Sequence, residues 1–273
     1  MARLDPHPVT GQLFPSPVPP GTGWPGDPAE ALTRTARSAA GVRRGAAGAK
    51  DFAELDARST VCRACPRLVS WRESVATTGR RASFADEPYW GRPIHGFGEA
   101  GSPVLIVGLA PAANGANRTG RIFTGDRSGD WIYAALYRAG YANQPQSVHA
   151  GDGLAVQGVR IISAVRCAPP DNKPTTEEKA TCAPWLQRDL QLAAPTLRSI
   201  LALGGIGWAA TLRAVAALGW SVPRPQPKFG HGALAELTTD KGRVVQLHGC
   251  YHVSQQNTFT GRLTEEMLDE VIA

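Results

Sequence analysis

The strongest indication of the fold is the stretch VLIVGLAPAANGANRTGRIFTGDRSGD, residues 104–130, in which a short apolar run passes into a long polar loop. The run is rich in Val, Ile and Leu and ends at glycine, which is typical of a buried strand. The loop has six glycine or proline residues between positions 108 and 130. Such a loop can bring backbone N–H groups and Asp126 close to a ligand, although a surface connection without a function remains the alternative.

Three more apolar runs share this character and alternate with helical patterns. The predicted strands are 104–109, 159–165, 199–203 and 243–247, and the predicted helices are 130–138, 176–193, 208–218 and 263–272. Parallel strands need long crossover connections, which are usually helices. The alternation therefore predicts an α/β fold with a central parallel sheet covered on both faces. Ligands of such sheets bind beyond the carboxyl ends of the strands.

The composition limits the class of protein. The chain has 273 residues, of which 42% are hydrophobic and 19% charged, so it can bury a core and is not disordered as a whole. The apolar stretches 104–113 and 199–210 are shorter than the roughly 18 to 20 residues that span a bilayer. The N-terminus has no apolar run behind a basic start, so we expect no secretory signal, no membrane partner and a cytoplasmic location.

The first fifty residues differ from the rest of the chain. They contain eight prolines and seven glycines and show no helical or strand period. We predict that residues 1–50 form a loosely ordered Pro/Gly/Ala-rich arm and that residues 51–273 form the ordered domain.

Polar side chains follow two of the predicted strands. Asn172 lies in RCAPPDNKPTTEE (166–178), and His252 lies in HGCYHVSQQNTFTGRLT (248–264). Taken alone, an Asn beside prolines is more often a turn former, and a single His is more often structural. The stretch LGGIGWAA (203–210) has a G-x-G-x-x-A pattern, but the acidic residue expected about 20 positions later is missing. These glycines therefore indicate close packing between a helix and the sheet.

The cysteines carry a sharper signal. Cys62 and Cys65 form a C-x-x-C unit, and fourteen residues separate Cys167 from Cys182. Four thiolates can hold zinc or an iron–sulfur cluster, and the spacing alone does not choose between them. Either centre would connect the N-terminal segment to the sheet domain. Cys250 is left over and is predicted to be a buried thiol.

Together these stretches resemble the family 5 uracil-DNA glycosylases, the iron–sulfur branch of that superfamily. The resemblance is carried by GLAPAANGANRTGRIFTGD (108–126), AVRCAPPDNKPTTEE (164–178), YHVSQQNTFTGRLT (251–264) and the four-cysteine pattern. It covers the chain from about Cys62 onwards. It implies a three-layer α/β/α sandwich with a central four-stranded parallel sheet. It also implies a [4Fe-4S] cluster bound by Cys62, Cys65, Cys167 and Cys182.

The resemblance also assigns roles to residues. The catalytic residues are then Asp126, Asn172 and His252, and Phe123 is the aromatic residue that stacks on the base. The substrate-binding residues are then Gly108, Leu109, Ala110, Asn114 and Phe123. The segment 254–262 corresponds to the part that approaches DNA, and the predicted DNA-binding residues are Lys173, Ser254, Gln255, Gln256, Asn257 and Arg262. The alternative for this segment is an ordinary polar loop, with Thr264 or a neighbour capping the last helix.

Two positions depart from the pattern of the sister family 4. That family has Glu and Asn where this chain has Leu109 and Ser163. This is the family 5 condition, and it implies a less discriminating pocket that accepts hypoxanthine and ethenocytosine as well as uracil. Asn114 stands where relatives often carry His.

These residue types suit cleavage of an N-glycosidic bond, which develops positive charge on the sugar and negative charge on the departing base. Asp126 can stabilise the sugar and position water, while His252 and the backbone N–H groups of residues 108–110 can hold the base. Asn172 can read the base edge or orient the water. The net charge of +6 suits a surface that follows DNA phosphates.

No lysine in the three motifs is placed for a Schiff base, so we expect excision of the base to an abasic site without strand cleavage, the first step of base excision repair. The expected partner is DNA with uracil or other deaminated bases, and the expected state is a nucleoid-associated monomer. Two other classes stay open at this stage. One is a cluster- or zinc-stapled nucleic-acid binding module without catalysis. The other, a redox iron–sulfur protein, is disfavoured because its ligands would be scattered.

Overall fold

A computed structural model describes residues 3–272 of the chain. The strands are β1 (Leu4–Pro6), β2 (Leu13–Pro15), β3 (Phe97–Gly98), β4 (Val104–Gly108), β5 (Val159–Ser163), β6 (Ser199–Leu203), β7 (Leu234–Thr238) and β8 (Val244–Cys250). The helices are α1 (Ala39–Ala47), α2 (Phe52–Thr60), α3 (Pro66–Thr77), α4 (Ala116–Thr119), α5 (Arg127–Arg138), α6 (Thr176–Ala193), α7 (Gly204–Ala217), α8 (Gln255–Phe259) and α9 (Glu265–Ile272).

The central sheet has six strands in the order β3-β5-β4-β6-β8-β7. Its four inner strands are parallel, as predicted, and the two edge strands pair antiparallel with their neighbours. The expectation of a four-stranded sheet is therefore correct for the centre and wrong for the edges. β3 has only two residues, and β7 alternates exposed and buried positions, so neither gives the continuous apolar run of a buried strand.

Both faces of the sheet are covered, which confirms the three-layer α/β/α architecture. Alternate residues of β6 enter different cores, because successive side chains of a strand point to opposite faces. Ile200 and Ala202 belong to the core that contains α6 and α7 residues. Leu201 and Leu203 belong to the core with α5 and α9 residues.

The parallel inner strands bring three loops to one edge of the sheet. The loops 109–126, 164–175 and 251–264 follow the carboxyl ends of β4, β5 and β8. The carbonyls of Gly108 and Leu109 accept hydrogen bonds from the N–H groups of Ala164 and Val165, both at 2.9 Å, so the first two loops are joined where they begin. Within residues 3–272, no helix is long and apolar enough to cross a membrane.

The N-terminal arm is packed against the domain, so the prediction of a loosely ordered arm is wrong for residues 3–50. β1 and β2 form a hairpin, and Phe14 and Trp24 are buried in the core shared with α5 and α9. The Trp24 indole N–H donates to the carbonyl of Thr119 at 3.2 Å. The Pro/Gly composition concealed these aromatic residues, which bury enough surface to order a segment without a periodic pattern.

Two buried histidines join the arm to the domain. The rings of His7 and His149 lie edge to face with centroids 4.3 Å apart. Burial lowers the pKa of His7 to about 4 and that of His149 to about 3. In the described part of the chain, both ring nitrogens of His149 lack a hydrogen-bond partner. Both rings are therefore neutral at pH 7.

Acid should weaken the folded state through this pair. The folded-state pKa values lie below the unfolded value of about 6.5, so the unfolded chain binds more protons as the pH falls from 6.5 towards 4. The full stability is present above pH 6.5 and is lost below it. In urea unfolding at pH 7.5 and 5.0, we expect His149→Leu to lose less free energy of unfolding on acidification than the parent. Equal losses in the parent and in His149→Leu would show that His149 does not contribute to the acid sensitivity.

Candidate active site and cysteine cluster

Asp126 is the N-cap residue of α5. Its carboxylate accepts a hydrogen bond from the backbone N–H of Gly129 at 3.1 Å, which fixes the side chain where the loop becomes helix. Burial raises the pKa of Asp126, while the N–H groups of Gly129 and Ser128 act in the opposite direction. The site therefore holds a partly desolvated carboxyl group in a defined orientation.

The backbone of the first loop passes very close to this carboxylate at Gly115. A Cβ atom added to Gly115 would lie 1.9 Å from Oδ2 of Asp126. Only glycine permits this approach without moving the carboxylate.

Arg118 braces the two sides of the loop. Its Nε donates to the carbonyl of Asn114 at 2.9 Å, and its Nη2 donates to the carbonyl of Gly125 at 3.0 Å. The guanidinium is buried and forms an ion pair with Glu87. The backbone on either side of Asp126 is thus held by one charged side chain from the loop itself.

Asp126 lies in a cleft of about 350 Å³ with residues from all three loops. Asn114 and Gly115 come from the first loop, Asn172 from the second and Gln255 from the third. Asn172 follows Asp171 in a tight turn, and both residues have positive φ (56° and 54°). The turn former that the sequence indicated is therefore also a cleft residue.

A second group of predicted residues forms beside Gly108 and is not on the wall of this cleft. The rings of Phe123 and His252 have centroids 6.1 Å apart and are tilted by 51°. Gly108 leaves room for Phe123, since an added Cβ would lie 2.9 Å from the ring. Burial lowers the pKa of His252 to about 4, so this imidazole is neutral at pH 7.

The segment 254–262 is partly helical rather than a plain loop, because it contains α8. The Asn257 side chain donates to the carbonyl of His252 at 2.8 Å, which fixes the backbone at His252 and engages an amide that we predicted would contact DNA. The Arg262 guanidinium lies over the Tyr251 ring at 4.5 Å. Thr264 accepts from the N–H of Met267 at 3.3 Å, so the capping role of the alternative interpretation is also present.

The remaining predicted contacts lie on the surface near the cleft. Lys173 and Gln256 are exposed. The carbonyl of Lys173 accepts from the Arg67 guanidinium at 3.1 Å. Ser254 is the N-cap residue of α8, although its side chain makes no capping hydrogen bond.

Sequence reasoning missed several cleft residues. The residues Trp71, Arg81, Phe84 and Arg127 line the cleft with Asp126, and none of them lies at a strand end. No spacing in the sequence could have found Trp71, Arg81 and Phe84, because only tertiary folding brings the segment after Cys65 to this edge.

An exposed aromatic residue lies beside Arg127. Phe259 at the end of α8 is 69% exposed, and the Arg127 guanidinium lies 5.6 Å from its ring centroid.

The four predicted metal-binding cysteines line one small, largely apolar hollow with Leu68, Trp185 and their neighbours. Burial, and then the neighbouring Cys167, raise the pKa of Cys62 to about 11 and that of Cys65 to about 12. A bound metal centre is what would hold such sulfurs as thiolates at neutral pH. Cys250 is fully buried in a different core, as predicted.

Two nitrogen donors already point at these sulfurs. Nη1 of the buried Arg72 lies 2.8 Å from the sulfur of Cys167, and the backbone N–H of Arg166 donates to Cys182 at 3.4 Å. The Arg72 guanidinium is fully buried, and its Nη2 lies 3.8 Å from the Glu73 carboxylate. A thiolate-bound centre would supply a closer anionic partner to Nη1. The donor set therefore fits an anionic metal–thiolate group. Among the residues described, no three or more His, Cys, Asp or Glu side chains are grouped so as to hold a single metal ion.

Comparison with known proteins agrees with this architecture. Residues 95–273 match the model of the uracil DNA glycosylase superfamily. The type-5 uracil-DNA glycosylase of Mycobacterium bovis is 57% identical over 265 residues, which cover 97% of this chain and 96% of the relative. The chain belongs to the type-5 uracil-DNA glycosylases. Those of Thermus thermophilus and Pyrobaculum aerophilum are 47% and 44% identical and cover 78% and 77% of this chain.

The superfamily match includes all six strands of the central sheet and all three cleft loops. The arm, the C-x-x-C unit and α3 lie before its first matched residue. The mycobacterial relative also aligns with nearly all of this N-terminal part, since the alignment covers 97% of the chain.

Proposed function

We propose that this protein is a DNA repair glycosylase that flips uracil out of DNA and hydrolyses its N-glycosidic bond. The product is an abasic site, which begins base excision repair, and the enzyme acts as a monomer in the cytoplasm, associated with the nucleoid. The observation that carries the proposal is the cleft, where a partly buried, oriented carboxylate meets amide side chains from two other loops. A nucleic-acid binding module without catalysis has no need for this arrangement.

Asp126 acts on the sugar side of the bond. As a carboxylate it stabilises the positive charge that develops on the sugar and orients the attacking water. The Gly129 N–H holds Oδ1 of this carboxylate, and the Arg118 brace holds the loop backbone beside it, before the reaction begins. Asn172 shares the cleft and can hold the same water or the base edge, because its amide both donates and accepts.

The base side is assigned to Phe123, His252 and the turn 108–110. Phe123 gives the flipped base an aromatic face. A neutral imidazole keeps an N–H that can donate to the departing base as negative charge develops there, and the backbone N–H groups of the turn add to this. Asn257 supports the assignment by fixing the backbone of His252.

We extend the proposal to hypoxanthine and ethenocytosine. Leu109 offers no polar side chain to a base. The buried hydroxyl of Ser163 donates to the carbonyl of Val165 at 3.0 Å, so its hydrogen is already used. Neither position therefore supplies a selective contact for one base edge.

DNA is held by the surface around the cleft. Lys173 and Arg262 supply positive charge for phosphates, and the exposed Gln256 and the cleft residue Gln255 can meet base edges or phosphates once the duplex opens. The net charge of +6 supports binding to the phosphate backbone.

We assign a [4Fe-4S] cluster to the four cysteines. The support is their common hollow and the N–H donors that point at Cys167 and Cys182. The cluster supplies structural cross-linking, because it connects the C-x-x-C segment before α3 to α6 and to the loop after β5. Arg72 holds the same segment through its bond to the carbonyl of Cys62 at 3.1 Å.

Replacing Cys167 by Ser should remove the cluster and lower the melting temperature, because metal binding and folding are coupled. Iron and sulfide analysis of anaerobically purified protein measures the first effect, and thermal unfolding measures the second. Cys250→Ala is the matched control, since it removes a buried thiol from another core and should keep the iron. A folded parent protein that contains only zinc would overturn the assignment.

The activity is tested with pure protein on uracil-containing and undamaged oligonucleotides, followed by alkali and a gel. We expect strand breaks only for the uracil substrate and only after alkali. Cleavage through an imine that borohydride traps would show a different mechanism. Binding without base release would favour the non-catalytic module.

A further inference from the structure

One side of the cleft comes from a part of the chain that precedes the superfamily match. Trp71 on α3, with Arg81 and Phe84 in the turn after it, lines the same cleft as Asp126 and Asn172. We call these three residues the α3 wall. They lie between the C-x-x-C unit and residue 95, where the match begins. The reaction as described above uses none of them.

Trp71 is turned away from the core. The buried residues of α3 are Leu68, Arg72, Val75 and Ala76, which lie on one face of the helix. Trp71 is 36% exposed, and its free indole surface faces a concave site. Large aromatic side chains are usually mostly buried, so an indole presented to a cleft is suited to contact with a ligand.

The rest of the wall is fixed in place. The Arg118 guanidinium lies 3.8 Å from the centre of the Phe84 ring. Arg118 is also the brace of the Asp126 loop, through its bonds to Asn114 and Gly125. The distance between Phe84 and the catalytic loop is therefore set by one buried side chain.

The wall also carries an available positive charge. Arg81 is exposed, and within residues 3–272 it forms no salt bridge. Proteins that hold single-stranded DNA combine cationic side chains that follow the backbone with aromatic side chains on which bases stack. The α3 wall has both components on one side of the cleft.

We propose that the α3 wall holds the target DNA strand next to the flipped uracil, with Trp71 stacking on a neighbouring base and Arg81 pairing with a phosphate. The inference rests on the proposed glycosylase function and adds a strand-binding surface to it. Stacking does not depend on sequence, because every base has an aromatic face. The wall thus serves single-stranded and opened double-stranded DNA alike, and it gives the segment between the cysteine unit and the sheet a role in substrate binding.

The test compares Trp71→Ala, Trp71→Phe and Arg81→Ala with the parent. The probes are a single-stranded oligonucleotide with a tetrahydrofuran abasic-site analogue, measured by fluorescence anisotropy, and a uracil oligonucleotide in single-turnover assays. Trp71→Ala removes the stacking contact with one base, so this variant should bind the oligonucleotide about fivefold to a hundredfold more weakly than the parent. Trp71→Phe should restore most of the affinity. In single turnover, the weaker binding should raise the enzyme concentration that gives the half-maximal rate, while the maximal rate stays the same. Arg81→Ala should reduce the salt slope of binding by about one unit.

Tyr137→Ala is the matched control, because Tyr137 is 49% exposed on α5 and does not line the cleft. Iron content and melting temperature show whether each variant keeps the parent's fold. Parent-like affinity of Trp71→Ala together with a parent-like salt slope of Arg81→Ala would overturn the proposal. A fall in the maximal rate without loss of affinity would also overturn it. If the parent releases no uracil, the proposed function fails, while the anisotropy comparison still decides whether the wall binds DNA.

Discussion

Asp126→Asn should lower the single-turnover rate of uracil excision about tenfold to a thousandfold, while the affinity for DNA changes much less. The substitution keeps the size of the side chain and an oxygen that can accept from Gly129, but it removes the negative charge that the proposed mechanism places opposite the sugar. Losing one contact made in the transition state typically costs about 1.4 to 4 kcal/mol, which corresponds to this range of rates. Saturating enzyme and a uracil oligonucleotide separate the rate from binding.

Asp130→Asn is the control for this experiment. Asp130 lies one turn further along α5, is exposed and pairs only loosely with Arg127 at 3.7 Å. Its loss should leave excision nearly unchanged. If Asp126→Asn instead loses affinity and keeps the parent's rate at saturation, then Asp126 positions DNA and does not act in the reaction.

The pH profile gives a second readout of Asp126. Burial raises its pKa, so the carboxylate becomes protonated at a higher pH than an ordinary aspartate. Excision by the parent should therefore fall as the pH is lowered, and Asp126→Asn should lack this acidic decline. Burial lowers the pKa of His252 to about 4, so His252 is neutral above that pH.

Gly115→Ala should lower the single-turnover rate of excision at least about tenfold. Expressed as free energy, this loss should exceed the loss of folding stability. The new Cβ would lie 1.9 Å from Oδ2 of Asp126, so the carboxylate must rotate or the loop must move. A displacement of about 1 Å in a reacting group can cost about a hundredfold in rate. Single-turnover rates and melting temperatures, measured on the same preparation, compare the two effects.

Gly230→Ala is the matched glycine control. A Cβ at Gly230 would meet only the Ala233 side chain at 3.9 Å, which is ordinary contact. This variant should excise uracil at the parent's rate. A Gly115→Ala enzyme that also works at the parent's rate would show that the cleft tolerates a shift of the Asp126 carboxylate.

Local chemistry explains why the inner elements could be predicted. α6 begins and ends where the sequence indicated, and Thr175 and Glu178 form a reciprocal capping box at its start. The inner strands β4, β5 and β6 are buried on both faces and therefore appear as continuous apolar runs, while β8 alternates exposed and buried positions over its first half. The loops that follow them contain Asp126, Asn172 and His252. These loops lie together because parallel strands end at the same edge of the sheet.

Other features left no local signal. The arm was predicted to be loose, yet Trp24 donates to Thr119, 95 residues away in sequence. β7 is half exposed and is specified by pairing with β8 rather than by its own hydrophobicity. Asn257 is predicted to contact DNA, and a polar side chain in a polar run gives no sign of the partner it has within the fold, which is the carbonyl of His252.

The sequence by itself determined the α/β class, the inner strands, the family and the residues that the loops carry, since each depends on periodicity, caps and motifs within a short stretch. Tertiary structure alone decided which of these residues meet. It placed Gly115 against Asp126, separated the Phe123–His252 pair from the cleft wall, and brought Trp71 to the side of a loop some fifty residues further along the chain. The physical reason is that such contacts depend on how helices and loops pack across the sheet, and packing couples residues that no local pattern connects.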